Sequence, residues 1–106
     1  MLKTLADVMR AAAPEDAVCA RYGGEEFALV LSKTPAVKAC EVADEIRRSF
    51  ASTARAVGQG AGRMVTVSLG VAACPEDGRS DIELIRRADQ RLYQAKRAGK
   101  NQVCSA

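Results

Sequence analysis

Leu2, Leu5, Met9 and Ala12 or Ala13 fall at spacings of three and four, the period of a helix with one apolar face. Pro14 ends that helix. The pattern then shortens to two apolar runs, Val18 to Tyr22 and Phe27 to Leu31. Each has the length of a strand. The second is apolar on both faces, which predicts an interior strand. Gly23 and Gly24 separate the two runs. A tight two-residue turn needs positive φ, which glycine adopts cheaply, so the runs are predicted to form a hairpin.

A second helix is predicted from Thr34 as N-cap and Pro35 at the first helical position. Ala36, Ala39 or Cys40, Ala43, Ile46 and Phe50 mark its buried face, with Arg47 and Arg48 beside it and solvated. It fades near Val57 into a glycine-rich loop, Gly58 to Gly62. That loop is no dinucleotide fingerprint, because its third glycine is misplaced and a strand follows it. The strand, Arg63 to Ala72, is rich in Val and Thr. Its Thr66, Ser68 and Gly70 make a face small enough for close packing. After a Pro75-to-Gly78 turn, Ser80 and Glu83 form a capping box. The helix they start buries Ile85, Ala88, Leu92 and Ala95, turns Arg86, Arg87 and Arg91 to solvent, and ends at Gly99. Gln102 to Cys104 can add a last short strand. Helix, strand, strand, helix, strand, helix, short strand is an α+β order with a layout close to ferredoxin-like, a mixed or antiparallel sheet flanked by helices.

The chain has 106 residues, which bounds it at one domain. Aromatics are 4%, so the core must be aliphatic. The net charge of +3 is spread among charges of both signs and singles out no partner. Four cysteines without a Cys-x-x-Cys pair, and no histidine, argue against a zinc site. With no secretory signal preceding them, the cysteines are expected to be small buried apolar residues in a reducing cytosol. No apolar run approaches the roughly 20 residues of a membrane span. An RNA-binding sheet would need aromatics on its strands. Only Tyr22 and Phe27 qualify, so no nucleic-acid partner is expected.

The chemistry concentrates at Arg21-Tyr22-Gly23-Gly24-Glu25-Glu26-Phe27. Strand neighbours point to opposite faces, so Glu25 and Glu26 cannot both serve one spot. One can meet a metal or substrate while the other turns inward or pairs with a cation such as Arg21. Alone, this is an ordinary hairpin with solvated charges. Lys96 and Lys100, alone, are cations offsetting a helix dipole.

Together with Val65 to Val71 and with Ala88 to Lys96 running into Gly99-Lys100-Asn101, the signature resembles the GGDEF family, the diguanylate cyclases, in its Gly-Gly-Glu-Glu-Phe form. The resemblance covers nearly the whole chain and the C-terminal two-thirds of the family domain. The domain's first strand and helix have no counterpart, so 1–106 is expected to be one N-terminally truncated GGDEF domain with a nucleotide-cyclase-like fold. The resemblance implies condensation of two GTP into cyclic di-GMP with loss of pyrophosphate, each 3′-hydroxyl attacking the other's α-phosphate. It implies Mg²⁺ or Mn²⁺, a homodimer and a cytoplasmic setting. Carried over, Glu25 is the metal ligand and catalytic carboxylate, and Gly23 and Gly24 form the turn against which GTP lies. Lys96 and Lys100 hold the terminal phosphates, and Glu26 and Asp89 support, with Arg21 the supporting cation that a glutamate of the signature can pair with.

The departures imply more. The family's opening strand carries a second metal carboxylate, and the segment after it carries the guanine readers. Asp7 and Asp16 stand in the wrong context to replace them, so the chain as given is expected to be inactive. The alternative is a non-catalytic module that binds nucleotide or dimerises. The family's inhibitory Arg-x-x-Asp is absent too: neither Ala13 to Asp16 nor Pro14 to Ala17 begins with Arg, and Arg10 is too early. Unpaired strand edges left by the missing strand are expected to draw in a second chain.

Overall fold

The computed structural model describes residues 2–21, 26–56 and 66–105. It contains α1 (Leu2–Ala12), β1 (Val18–Arg21), β2 (Phe27–Val30), α2 (Ala36–Ala56), β3 (Leu69–Gly70), α3 (Asp81–Arg97) and β4 (Val103–Cys104). The order is the predicted one, and the fold is α+β.

Packing follows the helical period. Val8 and Met9 of α1 meet Val42, Ile46 and Phe50 of α2 in one buried cluster. Cys19, Phe27, Leu29 and Leu31 close it from the hairpin, and Val67 and Leu69 from β3 and the residues just before it. Ile46 is the most buried large side chain, with 1% of its surface exposed. Four buried cluster residues are branched aliphatics or methionine and one is Phe50, the aliphatic core that the composition required.

The strands form two pairs. β1 and β2 are antiparallel, and β3 and β4 are parallel. The expected mixed or antiparallel sheet is, among the described residues, two two-stranded sheets. β2 has β1 as its one neighbour there, so the expectation of an interior strand is not met, and Val30 is exposed beside the equally exposed Val18. The strand expected over 63–72 is β3 alone, although Leu69 N and Val71 N donate to Gln102 O and Cys104 O on either side of it. Val and Thr propensity cannot extend a ladder beyond the residues that have a partner. Residues 63–65 and the glycine-rich loop lie outside the described residues.

α3 is anchored at both ends. Ser80 caps it: its hydroxyl accepts from Glu83 N at 3.2 Å, and Glu83 Oε1 accepts from Ser80 N at 3.3 Å. At the far end Lys100 N donates to Ala95 O, closing the helix around Gly99 at φ 127°. Between them α3 lies directly on β3. A methyl added at Gly70 would fall inside contact distance of Ala88 O and Leu92 N, both backbone atoms. The small face of this strand is thus filled by a helix backbone. Ile85, expected to be buried, is 42% exposed, because the packed face of α3 is centred on Ala88, Arg91 and Ala95 instead.

Three local expectations also change. Thr34 does not cap α2. Its hydroxyl donates to Ser32 O at 2.9 Å, and Pro35 O accepts the first helical amide, from Ala39. None of the cysteines is fully buried: Cys19, Cys40 and Cys104 are half-buried and Cys74 is exposed. Arg47 is half-buried and bonded to Asp44 and Asn101, while Arg48 is solvated as expected.

Candidate functional site

The predicted site begins on the β1–β2 hairpin. Its register pairs Val18 with Val30 and Arg21 with Phe27. A two-residue turn at Gly23-Gly24 would, in unbroken register, pair Arg21 with Glu26. The observed register leaves five residues, Tyr22 to Glu26, between the last paired positions. Burial of Cys19, Phe27 and Leu29 on the core sets this register, since a slip of one residue would put Cys19 on the opposite face from Phe27 and Leu29. Gly23, Gly24 and Glu25 lie outside the described residues, as does the side chain of Arg21. Glu26 stands exposed just before β2.

Lys96 and Lys100 both come from the C-terminal end of α3 and are exposed there. Lys96 sits in the last helical turn. Lys100 follows Gly99 and adopts φ 64°, and Asn101 follows at φ 50°. Two left-handed non-glycine residues in succession need holding. Asn101 N donates to Ser68 Oγ at 3.0 Å, and Arg47 Nη1 donates to Asn101 Oδ1 at 3.2 Å. The loop that carries Lys100 is therefore tied to α2 and to the residue before β3. Asp89 is exposed on α3, two turns before Lys96 and about 10 Å along the axis. Among the described residues, Glu26, Asp89, Lys96 and Lys100 make no ion pair with one another.

The strongest polar contact is one the sequence reading missed. Arg91, predicted to be solvated, is 11% exposed at its side chain and makes a fork to Asp77: Nη2 to Oδ1 and Nη1 to Oδ2, both 2.8 Å. Arg91 Nη1 also donates to Val71 O, and Ala73 N donates to Asp77 Oδ2. The Arg91 hydrogen bonds, reinforced by the Ala73 amide, hold the Asp77 carboxyl down at about 2. The same contact raises Arg91. This clamp fixes the turn between β3 and α3. The available signal was Arg91's place between Ala88 and Ala95, on the face that packs. Asp44 is held below its usual range by the hydrogen bond from Arg47, which steadies the residue that grips Asn101.

Carboxylates are the right donors for a hard divalent ion. Among the described residues, however, no group of three or more His, Cys, Asp or Glu could hold one. The described part of the site is thus an exposed carboxylate beside a hairpin connection and two cations on a braced helix end.

The family model for the diguanylate cyclase GGDEF domain matches residues 1–102. The response regulator PleD of Caulobacter vibrioides is 38% identical over 84 residues, covering 78% of this chain and 18% of that protein. Diguanylate cyclase A of Treponema denticola is 35% identical over 103 residues, 97% of this chain and 28% of that protein. The structure of the active GGEEF domain of a Vibrio cholerae diguanylate cyclase superposes with a TM-score of 0.84 at 31% identity, over 98% of this chain and 65% of that one. The chain thus spans less than a third of these curated relatives and about two thirds of the solved domain.

Proposed function

This chain belongs to the GGDEF family of diguanylate cyclases, and we propose that it contributes the GTP-handling part of a domain that condenses two GTP into cyclic di-GMP and pyrophosphate. One observation carries the reading. Gly23-Gly24-Glu25-Glu26-Phe27 repeats the motif that names the Vibrio cholerae domain, and it falls on the β1–β2 connection.

In this reading Glu25 is the ligand for Mg²⁺ or Mn²⁺ and the carboxylate nearest the reacting hydroxyl. Gly23 and Gly24 leave room for the nucleotide against the backbone. Lys96 and Lys100 hold the terminal phosphates, and the bracing of Asn101 supports this by limiting where Lys100 can go. Arg21, Glu26 and Asp89 support the arrangement electrostatically. A bound divalent ion would supply neutralisation of phosphate charge. The domain works as a homodimer with one GTP on each copy, in the cytoplasm. No helix among the described residues is long and apolar enough to cross a membrane, in keeping with that setting.

The 106-residue polypeptide taken alone binds nucleotide without useful turnover. It spans 65% of the Vibrio cholerae chain, and one carboxylate is a weak hold on an ion that takes about six oxygen ligands. That makes a non-catalytic nucleotide-binding or dimerising module the second reading. Purified chain incubated with GTP and Mg²⁺ and resolved by chromatography separates the two. The expected result is unchanged GTP. Linear or cyclic dinucleotide would overturn the inactivity and leave the cyclase reading standing.

A further inference from the structure

The chain past α3 takes three left-handed residues in a row: Gly99 at φ 127°, Lys100 at φ 64° and Asn101 at φ 50°. Ending the helix needs only the first. The bond from Lys100 N to Ala95 O closes a Schellman turn with Gly99 at its left-handed position. Asparagine tolerates that conformation, and lysine seldom adopts it. Such residues persist only where their surroundings over-determine them, and they gather at ligand clamps.

Here the surroundings converge from separate elements. From α2, Arg47 Nη1 donates to Asn101 Oδ1 at 3.2 Å, and Asp44 Oδ1 holds Arg47 Nε at 2.9 Å. From just before β3, Ser68 Oγ accepts from Asn101 N at 3.0 Å. Gln102 Nε2 donates to Ala98 O and to Lys100 O, each at 3.2 Å, and Gln102 O accepts from Leu69 N at 3.0 Å. These bonds fix the backbone of Lys100 or of its neighbours. The Lys100 side chain stays exposed and makes no ion pair among the described residues. A held backbone with an ammonium turned outward is what presenting a cation requires. Offsetting the helix dipole requires less, and Lys96 and Arg97 already stand in the last turn for that.

We propose that Asn101, with Arg47 and Ser68 behind it, is a positioning residue that makes the site select a nucleoside triphosphate over a monophosphate. The proposal rests on the reading of Lys100 as a cation for the terminal phosphates of GTP. An ammonium on a fixed backbone covers a fixed zone, so it meets a phosphate chain at one distance from the base. The terminal phosphates of GTP reach that zone, and the single phosphate of GMP does not. Lys96 keeps its place through the helix and needs no brace. Without the brace, Lys100 relaxes out of the left-handed region, and ordering its long side chain on the ligand costs more. Selection by phosphate number then falls, while whatever the site offers GMP is kept.

Calorimetric titration of GTP and of GMP, each with Mg²⁺, into the 106-residue chain and its variants tests this. Lys100→Ala should bind GTP about tenfold more weakly. Asn101→Ala and Arg47→Met should each lose about three- to tenfold in GTP affinity, with GMP affinity unchanged. Lys100→Ala/Asn101→Ala should lose no more than Lys100→Ala alone, because Asn101 acts only through that ammonium. Circular dichroism checks that each variant keeps its helices. Should Asn101→Ala unfold, Asn101→Gly takes its place, since glycine adopts the left-handed backbone yet cannot accept from Arg47. The same loss is expected. Additive losses in the double variant, an equal fall in GMP affinity, or full GTP affinity without the brace would overturn the proposal and leave the GTP reading standing. A Lys100→Ala chain that binds GTP as wild type does would overturn that reading of Lys100 and the proposal with it.

Discussion

Gly70→Ala adds one methyl group where the sheet and α3 touch backbone to backbone. The new carbon would sit 3.0 Å from the Arg91 carbonyl carbon and nearer still to Ala88 O and Leu92 N. Ordinary contact begins near 3.4–4 Å. None of the three atoms can rotate aside, so α3 must translate away from β3. That movement pulls on Arg91, which stands at the contact itself and bonds to Asp77 and Val71. Overpacking of this kind costs about 1–3 kcal/mol, against a total of about 5–15 for a domain of this size. The expected loss of thermal midpoint is roughly 5–20 °C. Thermal and urea unfolding followed by circular dichroism would measure it. A Gly70→Ala midpoint within about 2 °C of wild type would show that α3 does not rest on this strand as described.

Other outcomes follow from the same structure. The folded pKa of Asp77 is about 2 against an ordinary 3.8, so its stabilisation is present above the ordinary value and lost as pH falls toward 2. Wild type should lose about 1–2 kcal/mol more than Asp77→Asn between pH 5 and pH 2, by urea midpoints at each pH. Ser80→Ala removes the acceptor for Glu83 N and should cost about 1 kcal/mol, read from the same unfolding curves. Lys96→Ala should weaken GTP binding several-fold with no comparable change in thermal midpoint, because its side chain is exposed.

The amphipathic period was enough to place all three helices, because each buries a face against the core. The hairpin was legible from two apolar runs around paired glycines. Its register was not, since that depended on Cys19, Phe27 and Leu29 sharing one core face. The length of β3 was misread because a Val- and Thr-rich run states a preference, whereas a strand needs a partner along its whole length. Arg91 was misread for a related reason. Beside Arg86 and Arg87 it looks like one more solvated cation, and the carboxylate that justifies its burial lies 14 residues away in a turn. The small face at Gly70 was legible, because missing side chains declare themselves in sequence. Of the candidate site, Lys96 and Lys100 were placed at the helix end that carries them. The grip of Ser68 and Arg47 on Asn101, which braces the loop bearing Lys100, connects positions 33 and 54 residues apart, and no local pattern announces it.

The most direct test of the GTP reading is a calorimetric titration of GTP into wild type and Glu25→Ala, each with and without Mg²⁺. The account predicts binding to wild type that strengthens with Mg²⁺ and a metal-dependent part that disappears in Glu25→Ala. Equal binding by the two proteins, or none by wild type, would contradict it.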